Sequence, residues 1–242
     1  FARELNVDAT LCTGDYTALG TEPELVAARE AIRALTEAPS GYVTVPGNHD
    51  VYMPDCLADG RFERHFGDLL HSDLPDARVD GAWPLVRLVG EHLAVIAVNS
   101  ARPNPQPWRS SGRIPDAQLT ALTRVLDDPR VRGRFVFVIT HYAPRRADGT
   151  PDRRSHGLEN ADAFLAACAG IPRGAVLHGH LHHRFHLRLL EPRVHIFVAC
   201  SATTEGHEGF WVFDVGAKET RATPGRFEGE KPVLVAANAT TF

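Results

Sequence analysis

The chain is poor in several things that would have pointed elsewhere. Its 242 residues include only four cysteines, Cys12, Cys56, Cys168 and Cys200, with no Cys-x-x-Cys pair. That excludes a disulfide framework and a thiolate zinc site, and fits reduced, mostly buried thiols of an intracellular protein. A cytoplasmic location is the expectation. Long hydrophobic runs are missing too: nothing approaches the ~18–20 consecutive apolar residues of a membrane span. There is no basic surplus, since 26 basic and 30 acidic side chains give a net charge of −4. Blanket electrostatic binding of nucleic acid needs the opposite balance. Internal repeats, low-complexity tracts and interdomain linkers are absent, so residues 1–242 read as one domain. No Gly-x-Ser-x-Gly elbow marks a serine hydrolase.

What is present is a 43% hydrophobic chain with 13 clustered histidines. Short apolar runs at residues 7–13, 42–45, 135–139 and 175–177 read as strands. Residues 84–89 and 92–98, split by Gly90-Glu91, read as a hairpin. Helical patterns cover residues 22–38, 54–66, 115–126 and 159–169. The first has Thr21 as N-cap and Pro23 just inside. The third carries Leu119, Leu122 and Leu126 on one face. Residues 102–113 form a loop rich in Pro and Ser, and 144–155 a long polar loop. Beyond residue 184 the chain is strand-rich, near 185–190, 195–199 and 210–215. Strands without polar alternation, interleaved with helices, predict a layered α/β sandwich buried on both sheet faces.

The chemistry stands at the strand ends. Four apolar runs terminate in Gly14-Asp15, in Gly47-Asn48-His49-Asp50, in His141, and in Gly179-His180-Leu181-His182. Each alone has a structural reading as a turn or a satisfied core histidine. Ligand sites in open α/β sheets gather beyond the carboxyl ends of strands, so four such endings point to one site. Carboxylate, amide and imidazole donors together suit Mn, Fe or Zn better than Ca or Mg. His180 and His182, two residues apart on a segment read as extended, would face the same side. His178, His183 and His186 read as structural or surface residues.

This ordered set resembles the calcineurin-like metallophosphoesterase superfamily. The resemblance runs from Gly14 to His182. It implies a four-layer α/β/β/α sandwich, with the later strands as its second sheet, and two divalent transition metals at one edge. By the resemblance, Asp15 bridges both metals. Asn48, His141 and His180 complete the second site, and His182 serves the first. His49 stands beside the scissile phosphate with Asp50 holding its ring, and these two are the expected catalytic residues. The implied activity is hydrolysis of a phosphodiester or phosphomonoester by a two-metal-activated water, on a small molecule or nucleotide. The alternatives are a nuclease of the same superfamily and a non-catalytic interaction module on the same fold. The module would predict lost ligands within the motifs, and none is lost there.

The pattern departs from the family in one respect. The Asp-x-His motif that supplies the first metal with two further ligands occurs nowhere in the chain. The expectation is that it lies, with its strand, upstream of residue 1, and that the chain as it stands is impaired. His156, Arg145 and Arg146 are candidate substrate contacts, with Arg153 and Arg154 on the same loop. The loops 52–80 and 99–113 are expected to shape the pocket. The expected partner is a small phosphate ester, with no nucleic acid and no membrane.

Overall fold

The computed structural model describes residues 5–242 except 105, 107, 203, 205 and 230. In chain order the first elements are β1 (Thr10–Cys12), α1 (Glu22–Ile32), β2 (Tyr42–Thr44), α2 (Pro54–Ala58) and α3 (Arg61–Phe66). Then come β3 (Leu85–Val89), β4 (Leu93–Ala97), α4 (Asp116–Asp127), β5 (Phe135–Ile139), α5 (Ala161–Cys168) and β6 (Gly174–His178). The chain ends with β7 (Phe185–Leu190), β8 (Arg193–Val198), β9 (Phe210–Val215), β10 (Thr220–Glu228), β11 (Lys231–Leu234) and β12 (Thr240–Thr241).

A six-stranded sheet in the order β3-β4-β5-β6-β8-β7 forms the centre. Its inner strands β4, β5, β6 and β8 run parallel, and β3 and β7 close the edges antiparallel. Strand alternation divides the core in two. One face, with Ile96, Val136, Val138, Val176 and Ile196, packs on the buried faces of α4 and α5, including Leu122, Val125, Phe164 and Leu165. The other face, with Val95, Phe137, Ile139 and Phe197, packs on a second β layer. That layer holds Val43 of β2 together with Trp211, Phe213 and Ala222 of β9 and β10. Leu25 and Ala28 of α1 and Phe62 and Phe66 of α3 join the same cluster and cover it. The result is an α/β/β/α sandwich. Burying each such Leu, Val or Phe side chain contributes about 1.5–3 kcal/mol.

Several expected elements are shorter than the apolar pattern suggests. The strand expected at 7–13 is confined to Thr10–Cys12, because Gly14 (φ +91°) turns the chain at the site. The helix expected over 22–38 is α-helical only to Ile32 and tightens into a 3-10 turn at Arg33–Leu35. At its start, the Glu24 carboxylate accepts the backbone N–H of Thr21 at 2.9 Å, and Pro23 stands in the first turn. The segment 54–66 is broken into α2 and α3 at Gly60, which adopts φ +55°. The strands after residue 184 divide between two sheets rather than forming a second sheet together. β7 and β8 extend the central sheet, while β9 to β12 build the separate one. All four cysteines are free. Among the described residues no helix is long and apolar enough to cross a membrane.

Candidate metal centre

β1 and β2 pair in parallel, as do β5 and β6, so the residues that follow all four strands emerge at strand C-termini. Asp15 follows β1, Asn48 follows β2, His141 follows β5, and His180 follows β6. Two glycines let the first two loops touch. A Cβ on Gly47 would lie 2.0 Å from Asp15 Oδ1, and one on Gly14 would lie 2.4 Å from the Gly47 nitrogen. Asp15 (φ +62°), His180 (φ +68°) and His182 (φ +54°) are non-glycine residues in the left-handed region, where strain concentrates at functional sites.

The donor atoms converge. Asn48 Oδ1 lies 3.0 Å from His141 Nε2 and 3.0 Å from His180 Nδ1. His141 Nε2 is 3.3 Å from Asp15 Oδ2. Ligand atoms of Asp15, His141 and His180 all fall within 4.8 Å of one another. The far nitrogen of each imidazole meets a backbone carbonyl: His141 Nδ1 donates to Thr13 O at 2.7 Å, and His180 Nε2 to His156 O at 3.0 Å. Those bonds orient the rings and, in a neutral imidazole, leave the inner nitrogen as a lone pair. Lone pairs of two imidazoles, an amide oxygen and a carboxylate thus point at one place, an arrangement that a cation satisfies.

The electrostatics agree. Burial opposes charge on His141, but the Asp15 carboxylate outweighs it and raises the imidazole pKa. Burial would raise Asp15, yet the charge and hydrogen bond of His141 hold it well below the usual carboxylate range. This is one coupled pair in which positive charge is stabilised beside a carboxylate. Burial first, then the charge of His141, pushes His180 down to about 2 and keeps it a neutral donor. A divalent cation suits such a donor set, displacing the proton from His141.

His182 is exposed and lines the same cavity, of about 470 Å3, as Asp15, Asn48, His49 and His180. The segment is not extended as expected, since both histidines have positive φ, but the turn still brings both rings to the cavity. His49 lines the cavity as well, outside the ligand cluster. Its Nδ1 donates to Ala18 O at 2.8 Å, and its ring stacks on Tyr52 with centroids 5.8 Å apart.

The expected contact between Asp50 and the His49 ring is not made. Asp50 is fully buried, and its carboxylate accepts from the backbone N–H groups of Asp15 (2.9 Å), Tyr16 (2.8 Å), Thr17 (3.1 Å) and Gly47 (2.8 Å). The turn after β1 presents three of these donors and the loop after β2 the fourth, and a buried carboxylate takes the nearest of them. Burial first, then the Asp15 charge, raises Asp50 to about 6. Asp50 thus clamps two loops and makes no hydrogen bond to the His49 ring.

Of the candidate substrate contacts, His156 is in the cavity, its ring 4.2 Å from that of His180 and its Nδ1 2.6 Å from Asp152 Oδ2. Arg145 and Arg146 are not. Arg145 pairs with Asp162 at 2.5 Å, Arg146 lies 3.7 Å from Asp148, and neither lines the cavity. Each is drawn to a nearby carboxylate. The cavity wall is built instead by Tyr52, Trp108, Arg109 and Ser110, from the two loops expected to shape the pocket. No motif singled these side chains out. An arginine in a loop rich in Pro and Ser was the only available signal.

The comparisons with known proteins come to the same place. A search of the curated proteins finds no match. Among solved structures, a dimetal phosphatase from Danio rerio is similar at 14% identity and TM-score 0.62, covering 97% of this chain and 85% of that one. A purple acid phosphatase from yellow lupin (Lupinus luteus) seeds is similar at 10% identity and TM-score 0.61, covering 99% of this chain and 47% of that one. At such identities the likeness is one of fold. The family model for calcineurin-like phosphoesterases matches residues 1–184, a span that begins before β1 and contains every converging ligand, and the chain therefore belongs to that family of metal-dependent phosphoester hydrolases.

Proposed function

We propose that this protein hydrolyses a phosphodiester or phosphomonoester of a small molecule or nucleotide, using two divalent transition ions (Mn, Fe or Zn). The observation that carries the reading is Asn48 Oδ1 lying 3.0 Å from inner nitrogens of both His141 and His180, with Asp15 beside them. Asp15, Asn48, His141 and His180 would hold the second ion. Asp15 and His182 would hold the first. When bound, the ions supply positive charge for the phosphoryl oxygens and acidify the attacking water. His49, oriented through Nδ1 by the Ala18 carbonyl, donates a proton from Nε2 to the leaving oxygen. Asp50 holds the Asp15 turn against the Asn48 loop. The acidic balance supports a small substrate over nucleic acid.

The test pairs elemental analysis with hydrolysis of a chromogenic phosphodiester, for the native chain and His141→Ala after dialysis against each metal. Bound metal and turnover in the native chain, both lost in the variant, are expected. Metal without turnover under saturating Mn would favour a non-catalytic module. Equal metal in native chain and variant would remove His141 from the centre.

A further inference from the structure

Beside the metal-centre cavity lies a second cavity of about 350 Å3, lined by Gln106, Trp108, Arg109, Arg154 and Ser155. Trp108 and Arg109 line both cavities, so the two adjoin across these side chains. The wall between them is built. Ser110 N donates to Ser155 O at 2.9 Å and Gly112 N to Gly157 O at 3.1 Å, tying the two loops together. Gly112 lies so close to Tyr142 that a Cβ there would be 2.1 Å from the ring.

The chemistry of this wall is unusual for an acidic chain. Trp108 is 79% exposed, and among the described residues its indole makes no ring contact or hydrogen bond. Arg109 is held by Ser111 Oγ at 3.1 Å and Glu159 at 2.7 Å. Arg102 bonds the same Glu159 oxygen, so two guanidiniums share one carboxylate and the local balance is positive. Arg154 has no ion-pair partner among the described residues. An open aromatic face beside guanidiniums binds planar rings and anions together, because every base has a π-face and phosphate matches the guanidinium fork.

We infer that this second cavity is a nucleotide subsite: a base stacks on Trp108 and a phosphate meets Arg154 and Arg109. The inference rests on the phosphoesterase reading and narrows it. The ester whose phosphorus sits among Asp15, Asn48, His141 and His180 carries a nucleotide as one of its substituents. A simple alkyl phosphate leaves the indole face and Arg154 unused, and a long nucleic acid meets the opposing charge of the chain.

Calorimetric titration of the chain, metal-loaded and after EDTA, with adenosine 5′-monophosphate, ribose 5-phosphate and inorganic phosphate tests this. Adenosine monophosphate should bind roughly tenfold more tightly than ribose 5-phosphate in both states. Trp108→Ala should abolish that difference and Trp108→Phe should restore part of it. Arg154→Ala should weaken both sugar phosphates together. Equal affinity for the two sugar phosphates, or a difference unchanged in Trp108→Ala, overturns the subsite. The tenfold difference surviving EDTA while no ester is hydrolysed would sink the phosphoesterase reading and leave the subsite standing. Hydrolysis of the chromogenic diester without any preference for the base would do the reverse.

Discussion

The Asp50 carboxylate accepts the backbone N–H of Asp15 at 2.9 Å, so a residue beyond β2 fixes the ligand beyond β1. The same carboxylate accepts three further backbone N–H groups and the Thr17 hydroxyl, at 2.8–3.1 Å. The candidate metal centre therefore depends on a buried clamp that does not line the cavity.

Asp50→Asn is isosteric, but its NH2 must face backbone donors that cannot accept from it. Stranding buried donors costs about 1–3 kcal/mol each, so a loss of about 3 kcal/mol is expected. In a chain of this size that lowers the melting temperature by roughly 6–12 °C. Metal content should fall as well, because Asp15 is released. Unchanged melting with slowed turnover would instead point to a contact with substrate or with His49.

His49→Ala should behave in the opposite way. The side chain lines the cavity outside the ligand cluster, so turnover should drop by ~10²–10⁴ while metal content and melting stay close to native. Steady-state kinetics with parallel metal analysis checks this. Metal lost in step with activity would make His49 a ligand.

A third prediction concerns the edge of the central sheet. His195 of β8 and His186 of β7 stand with ring nitrogens 2.8 Å apart, and His195 stacks on Phe242 at 4.5 Å. Burial first, then His186 and Arg188, pushes His195 down to about 4, and burial lowers His186. The unfolded chain thus takes up protons from about pH 6.5 downward while the folded one does not. Stability is present above that pH, falls as pH drops towards 4, and levels off below. Urea titrations between pH 7 and 4 should show a shallower fall in His195→Gln. Identical slopes would mean that the pair is not neutral in the fold.

Much of the centre was legible in the sequence because β-strands end abruptly. Asp15, Asn48, His141 and His180 each follow an apolar run closed by a turn or a polar residue, and parallel strands deliver such endings to one edge whatever their distance along the chain. The helices α1 and α4 were legible for a similar local reason, in a cap and a 3.6-residue apolar stripe. Partner choice was not. Asp50 stands next to His49 in sequence, yet the turn 35 residues earlier offers it Asp15 N–H, and burial makes that bond compulsory. Arg145 and Arg146 stand near His141, but Asp162 and Asp148 claim them first. Trp108 and Arg154 lie in separate loops without periodicity, and the backbone bonds from Ser110 to Ser155 and from Gly112 to Gly157 bring them to one wall. Sequence by itself determined which chemistry collects at the strand ends, since that follows from local pattern. Tertiary structure alone decided which side chains face it, because those contacts are set by whichever unpaired partner folding places nearest.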